Sequence, residues 1–297
     1  MRKDVLLPGL ALFGGLAGFG LRRWQLASAF QPELGLFVHW APATIALAAL
    51  MALVALAFFL PLLGWREGPE EFLPAFGCPQ AGQMTLQAAA GLLMMAAGAL
   101  GVREGLSHLQ LWRITPELDR QPTQFTFAAA LAVTALLCVL AGVAVLGLGK
   151  MAYRGELSDA GCRMAPVPAA AGLFWLFITY LSHSTEPVLM RYLFTLLAAG
   201  LLTLAHYRAA GFLFGRPRRR GTVFCALMGV VTGLTSLADG LSLFNAVVTL
   251  AFSLSALALA RALLANSFGP AWGPEDRMPL GAEDDESKDT AAGPQAG

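Results

Sequence analysis

The stretch FTFAAALAVTALLCVLAGVAVLGL runs from Phe125 to Leu148 without a charged side chain. Crossing the hydrocarbon core of a bilayer takes roughly 20 apolar residues in a helix, and this run meets that length. Water would strip such a segment of any favourable environment. Lipid accepts its side chains but demands that every backbone N–H and C=O be bonded within the protein. A helix does that within one segment. A membrane barrel would need short alternating strands, and the apolar runs here are long and unbroken.

The rest of the chain agrees. Of 297 residues, 57% are hydrophobic and 13% charged, and the mean hydropathy is +0.62. Soluble chains carry about a quarter charged residues. The sequence therefore predicts an all-α, polytopic transmembrane helical bundle. Eight spans are expected: Val5–Leu21, Ala43–Leu63, Met84–Val102, Phe125–Leu148, Val167–Leu181, Val188–His206, Val223–Leu237 and Leu241–Leu264. The fifth and seventh are short, so the count ranges from six to eight. The first resembles a secretory signal in having Arg2 and Lys3 before an apolar stretch and Ala27-Ser28-Ala29 after it. Arg22 and Arg23 intervene, however, and positive charge just beyond the apolar core opposes export. The reading is an uncleaved span.

Residues 1–272 form the transmembrane domain in this reading, and 273–297 a disordered acidic tail. The tail carries seven acids against two bases, a balance of −5, whereas the remainder carries +6, which together give the net +1. Arginine outnumbers lysine 17 to 3 and asparagine and isoleucine are scarce. That bias points to a GC-rich bacterial genome and hence to a bacterial cytoplasmic membrane.

Lys and Arg accumulate on the cytoplasmic side of membrane proteins. With both termini inside, 14 of the 20 basic residues fall on the cytoplasmic side and six outside. The strongest single signal is FGRPRRRGTVF, Phe214–Phe224, which holds Arg216, Arg218, Arg219 and Arg220. Four arginines in a tight loop do not make a nucleic-acid surface, which needs a broader basic face with aromatics for stacking. They are read as a topology signal and a contact for anionic lipid.

Two outer loops pair Pro with Glu, in FQPELGLF (Phe30–Phe37) and STEPVLMRYLF (Ser184–Phe194), and Pro8 and Pro168 lie near the starts of the first and fifth spans. The similarity suggests two parallel four-helix halves, a plan used by some transporters. The outer loop Arg103–Gln124 is expected to extend the third span or to form an interfacial helix with Trp112 at headgroup level. Gly14-x-x-x-Gly18 and Gly229-x-x-x-Gly233 are expected to bring helices into close contact.

Few groups could carry chemistry. His183, Glu186 and Arg191 form the densest polar cluster near a membrane face, and Asp239 precedes Gly240 at a turn between the last two spans. They are candidates for a ligand site, beside the simpler reading of a capped helix, an interfacial ion pair and a tight turn. The four cysteines, Cys78, Cys138, Cys162 and Cys225, and the four histidines show no metal-ligand spacing. Nor is there a nucleophile with a base, a paired-carboxylate motif or a phosphate loop. These absences point away from an enzyme and from any cofactor. The expected partners are the lipid bilayer and a membrane protein, a second copy of the chain included. Two functions follow: a non-enzymatic scaffold or accessory component, or a small-solute permease with a site between the halves.

Overall fold

The computed structural model describes residues 2–31, 36–38, 40–65, 68–115, 122–183 and 188–269. Among them are eight helices long and apolar enough to cross a membrane. Their main helices are α1 (Lys3–Ser28), α2 (Pro42–Leu63), α4 (Ala81–Ile114), α5 (Pro122–Arg154), α7 (Val167–Ser182), α8 (Leu193–Ala210), α9 (Arg219–Ser236) and α10 (Leu243–Phe268). Short helices α3 (Phe72–Phe76) and α6 (Asp159–Met164) lie between spans. Two-residue strands β1 (Phe30–Gln31) and β2 (Leu36–Phe37) pair antiparallel, with Phe30 opposite Phe37. The chain is thus an integral, multi-pass helical membrane protein. The tail expected at 273–297 lies outside the described residues.

Successive spans alternate in direction, and contacts define two ends of the bundle. At one end Lys3 stands over the Phe268 ring (4.8 Å), Asn266 donates to the Ala75 and Gly77 carbonyls, and Phe76 meets Phe212 edge-on (5.0 Å). This end carries the arginine loop and is called the Arg216 face. The other gathers the end of α1, the starts of α2 and α8, and the turn after α9; it is called the Asp239 face. From Thr222 on, nearly all of α9 is buried. It packs against α8, α1, α10 and α2, while α10 packs against α4 and α9. The chain of contacts α1, α9, α8, α7, α5, α4, α10 closes on itself around the core. The least buried span is α2, on the flank of α1.

Small residues set how closely these helices approach. In lipid no hydrophobic force drives helices together, so close backbone contact has to. A Cβ on Gly14 would stand 3.2 Å from Val54, one on Gly18 would overlap the Thr235 hydroxyl, and one on Gly229 would stand 2.8 Å from Leu202. These close approaches agree with the expectation for both glycine motifs. The tightest seam joins α4 to α5. A Cβ on Gly91 would stand 2.9 Å from the Gly142 carbonyl oxygen, one on Gly142 2.5 Å from that of Gly91, and one on Gly98 2.7 Å from that of Ala135. Gly105 continues the row opposite Ala128. The small residues therefore recur every seven positions on both helices, the repeat of a left-handed supercoil.

Several boundaries differ from expectation. α1 does not end before Arg22 but continues to Ser28, so Arg22 belongs to the bundle interior, not to an outer loop. The short fifth span gains length from α6, which Ser158 caps by accepting from the Gly161 N–H (3.1 Å); together they run Asp159–Ser182. The seventh starts at Arg219 and is prolonged by a 3₁₀ turn, Leu237–Asp239. α4 does extend through the expected outer loop as far as Ile114. α8 and α9 lie side by side, but their first-half counterparts α2 and α4 do not. The two halves of the chain are therefore packed differently.

Candidate functional site

Arg22 sits in the last two turns of α1 with its side chain fully buried. A guanidinium has five N–H donors and no acceptor, and burial makes each unmet donor costly. Four neighbours accept from it. Nε donates to Asp239 Oδ1 (2.6 Å) and Nη1 to Gln25 Oε1 (2.7 Å), while Nη2 reaches the Met190 carbonyl (2.9 Å) and the Arg191 carbonyl (3.1 Å). Gln25 then passes the network on, its Nε2 donating to Thr44 Oγ1 (2.8 Å) at the start of α2. The rings of Phe194 and Phe37 lie 5.2 and 5.6 Å from the Arg22 guanidinium carbon, a cation–π distance.

Local structure supplies each partner. Gly240 takes a left-handed conformation (φ 72°), which a side chain would strain; it ends the 3₁₀ turn and holds Asp239 at the rim of α9. The 3₁₀ turn Leu189–Arg191 precedes α8 and leaves its carbonyls aimed at Arg22. Arg22 and Gln25 are three apart on α1, so they share a face. Asp239 engages Arg22 through Oδ1, while Oδ2 is buried without a hydrogen-bond partner among the described residues.

The sequence candidates fall unevenly around this cluster. Asp239 is at its centre. Arg191 joins it by its backbone carbonyl, while its guanidinium lies over the Phe30 ring (5.7 Å). His183, at the C-terminus of α7, stacks on Tyr192 (4.8 Å), and its Nδ1 is 2.8 Å from the Thr179 carbonyl. Glu186 lies outside the described residues. The sequence alone does not single out Arg22, Gln25 or Thr44: Arg22 and Gln25 follow the apolar run like loop residues, and Thr44 is one hydroxyl at the start of the next run.

The arginine loop divides in two. Arg220 Nε donates to the Trp65 carbonyl (2.6 Å), and Arg219 donates to the Gly68 carbonyl and reaches Glu70 (3.4 Å), so these two tie the loop to the segment after α2. Arg216 and Arg218 are exposed.

A second polar region lies toward the Arg216 face, inside the bundle. The His206 ring is buried on α8. Its Nδ1 is 2.8 Å from the Leu202 carbonyl, and its Nε2 3.0 Å from Ser255 Oγ. A carbonyl only accepts, so Nδ1 carries the proton and Nε2 accepts from the serine. Gln83 Nε2 donates to the Ala258 carbonyl (2.6 Å), linking α4 to α10. All four cysteines are free thiols. Cys78, in the connection before α4, has its pKa pushed up by burial, against the opposing pulls of the Gln80 backbone and Arg261. Among the described residues no group of three His, Cys, Asp or Glu side chains could hold a metal.

Comparison with protein-family models, with curated proteins and with solved structures gives no match.

Proposed function

We propose that this membrane protein is a non-enzymatic scaffold or accessory component of a bacterial cytoplasmic membrane, with both termini cytoplasmic. The carrying observation is the state of Arg22: four internal acceptors from the ends of α1, α8 and α9 already engage it. An arginine meant to bind a passing solute would keep its fork open toward an aqueous path. This one ties helix ends together. The small-residue seams serve the same end, since they bring backbones into contact along α4–α5 and α1–α9. In this reading Arg216 and Arg218 face anionic headgroups, and a second membrane protein or a further copy of the chain packs against the exposed apolar spans.

The permease reading rests on one observation, the buried and unpartnered Asp239 Oδ2. One experiment separates the two. Purified protein in liposomes is tested by osmotic swelling against small neutral, cationic and anionic solutes, beside the double variant Arg22→Met/Asp239→Leu. A scaffold gives no flux above protein-free vesicles in either case. A solute flux that the double variant abolishes while remaining folded would establish the permease. Orientation is checked with Arg218→Cys in intact cells: an impermeant maleimide leaves it unlabelled until the membrane is opened.

A further inference from the structure

Two small voids lie in the half of the bundle toward the Arg216 face. One, about 20 Å³, is lined by Cys78, Gln83 and Gln87 among apolar neighbours. The other, about 10 Å³, is lined by Gln87, His206 and Ser255 among theirs. The two share Phe72, Gln87, Leu148 and Leu259 as walls, so they are successive compartments with Gln87 between them. Gln87 is only 7% exposed, and its Oε1 is buried with no hydrogen-bond partner among the described residues.

An acceptor left bare in the interior is penalised, and native proteins usually meet it with protein or with ordered water. A water needs roughly 10–15 Å³ of accessible void and two to four polar partners. The larger compartment satisfies the volume for one molecule and the smaller sits at its lower limit. The partners are at hand. Ser255 gives its proton to His206 Nε2, so its oxygen still has acceptor capacity. Gln87 Oε1 offers two lone pairs. One water can therefore donate to both across the smaller void, and a second can bridge Gln87 to the Gln83 and Cys78 side of the larger one.

We infer that the bundle binds a two-molecule chain of water between α4, α8 and α10, running from Gln83 and Cys78 through Gln87 to the Ser255–His206 pair. Its ligand is water alone, because neither compartment admits anything larger. The chain joins three spans that direct side-chain bonds link only in pairs, Gln83 to α10 and His206 to Ser255. It also makes His206, otherwise walled in by α8 and α10, the one histidine in the membrane interior of the described residues with a hydrated neighbour. This inference is independent of whether the protein is a scaffold or a permease.

The test is water-edited magnetic-resonance transfer on the full chain, labelled at Gln and His side chains and reconstituted in deuterated lipid. The His206 ring signal is assigned by its loss in His206→Gln. Expected are rapid transfer from water to the Gln87 side-chain amide and to the His206 ring, and loss of transfer to His206 in Gln87→Met. The methionine fills similar space without a polar group. Should Gln87→Met not fold, Ser255→Ala removes the other anchor and is expected to give the same loss. Absence of transfer to both Gln87 and His206 in the unmodified protein overturns the inference. So does transfer to His206 that persists unchanged in the folded variants. A thermal melt adds an arm with opposite signs. Removing a dry, orphaned carbonyl raises the Tm, whereas removing a hydrated one lowers it, by about 3 °C or more for a chain of this size.

Discussion

The α4–α5 seam and the Arg22 cluster solve one problem by opposite means. Both hold helices together in a solvent that gives no hydrophobic reward for contact. The seam does so with nothing polar: Gly91, Gly98, Ala135 and Gly142 remove side-chain bulk until carbonyl oxygens meet the facing backbone. The cluster does so with charge, gathering Arg22, Asp239, Gln25, Thr44 and two backbone carbonyls. A seam is many small dispersion gains spread over a length. A cluster is a few strong bonds whose loss falls on one place. The first degrades by increments and the second fails at once.

Substitutions should reproduce that contrast. Arg22→Met leaves the Asp239 carboxylate buried and unpaired, which costs about 3–5 kcal/mol; chemical unfolding in micelles reads it, and a loss below about 1 kcal/mol would mean that water already reaches the pair. Gly142→Leu thrusts a side chain against the Gly91 carbonyl. It should cost about 1–3 kcal/mol by overpacking, and cross-linking between cysteines placed on α4 and α5 should slow as the helices part. The double variant Arg22→Met/Asp239→Leu removes both charges together and should unfold within about 1 kcal/mol of the unmodified protein, since replacing a whole buried pair by apolar groups is often neutral. If the double variant is as weak as Arg22→Met alone, the carbonyls of Met190 and Arg191 carry the cluster, not the ion pair. Smallest is Arg219→Gln. Its Glu70 partner is largely exposed, and exposed pairs contribute about 0–1 kcal/mol. Thiol labelling at neutral pH should follow the same gradient of burial, with Cys162 reacting before Cys78, whose burial covers the sulfur and pushes its pKa up.

The contrast also explains what could be read in advance. Eight apolar runs announced eight spans, because lipid selects length and apolarity residue by residue, without reference to any distant partner. The α4–α5 seam was legible in principle. Glycine and alanine at positions 91, 98 and 105, and at 128, 135, 142 and 149, repeat at a period of seven. The Arg22 cluster was not legible. An arginine next to an apolar run reads as the beginning of a loop, and the carboxylate that makes its burial tolerable stands 217 positions away. Asp239 drew attention for its Gly240 turn, yet its partner stayed hidden. Arg191 enters the cluster through its backbone carbonyl, a group that its side-chain chemistry does not announce. His206, a histidine without metal-ligand spacing, and Gln87 each look like one polar residue in an oily helix. They acquire meaning only when α4, α8 and α10 converge.

α4 and α5 contain 34 and 33 residues, so each is about 50 Å long at 1.5 Å per residue. A hydrocarbon layer about 30 Å thick cannot contain that length unless the pair leans by more than roughly 50°, well past the usual limit of about 40°. The surplus therefore reaches beyond the hydrocarbon into the headgroup layers, which bring the bilayer to about 40–45 Å. Because the two helices are zipped along their heptads and α4 also abuts α10, the pair meets those layers as one unit and not as two separate rods.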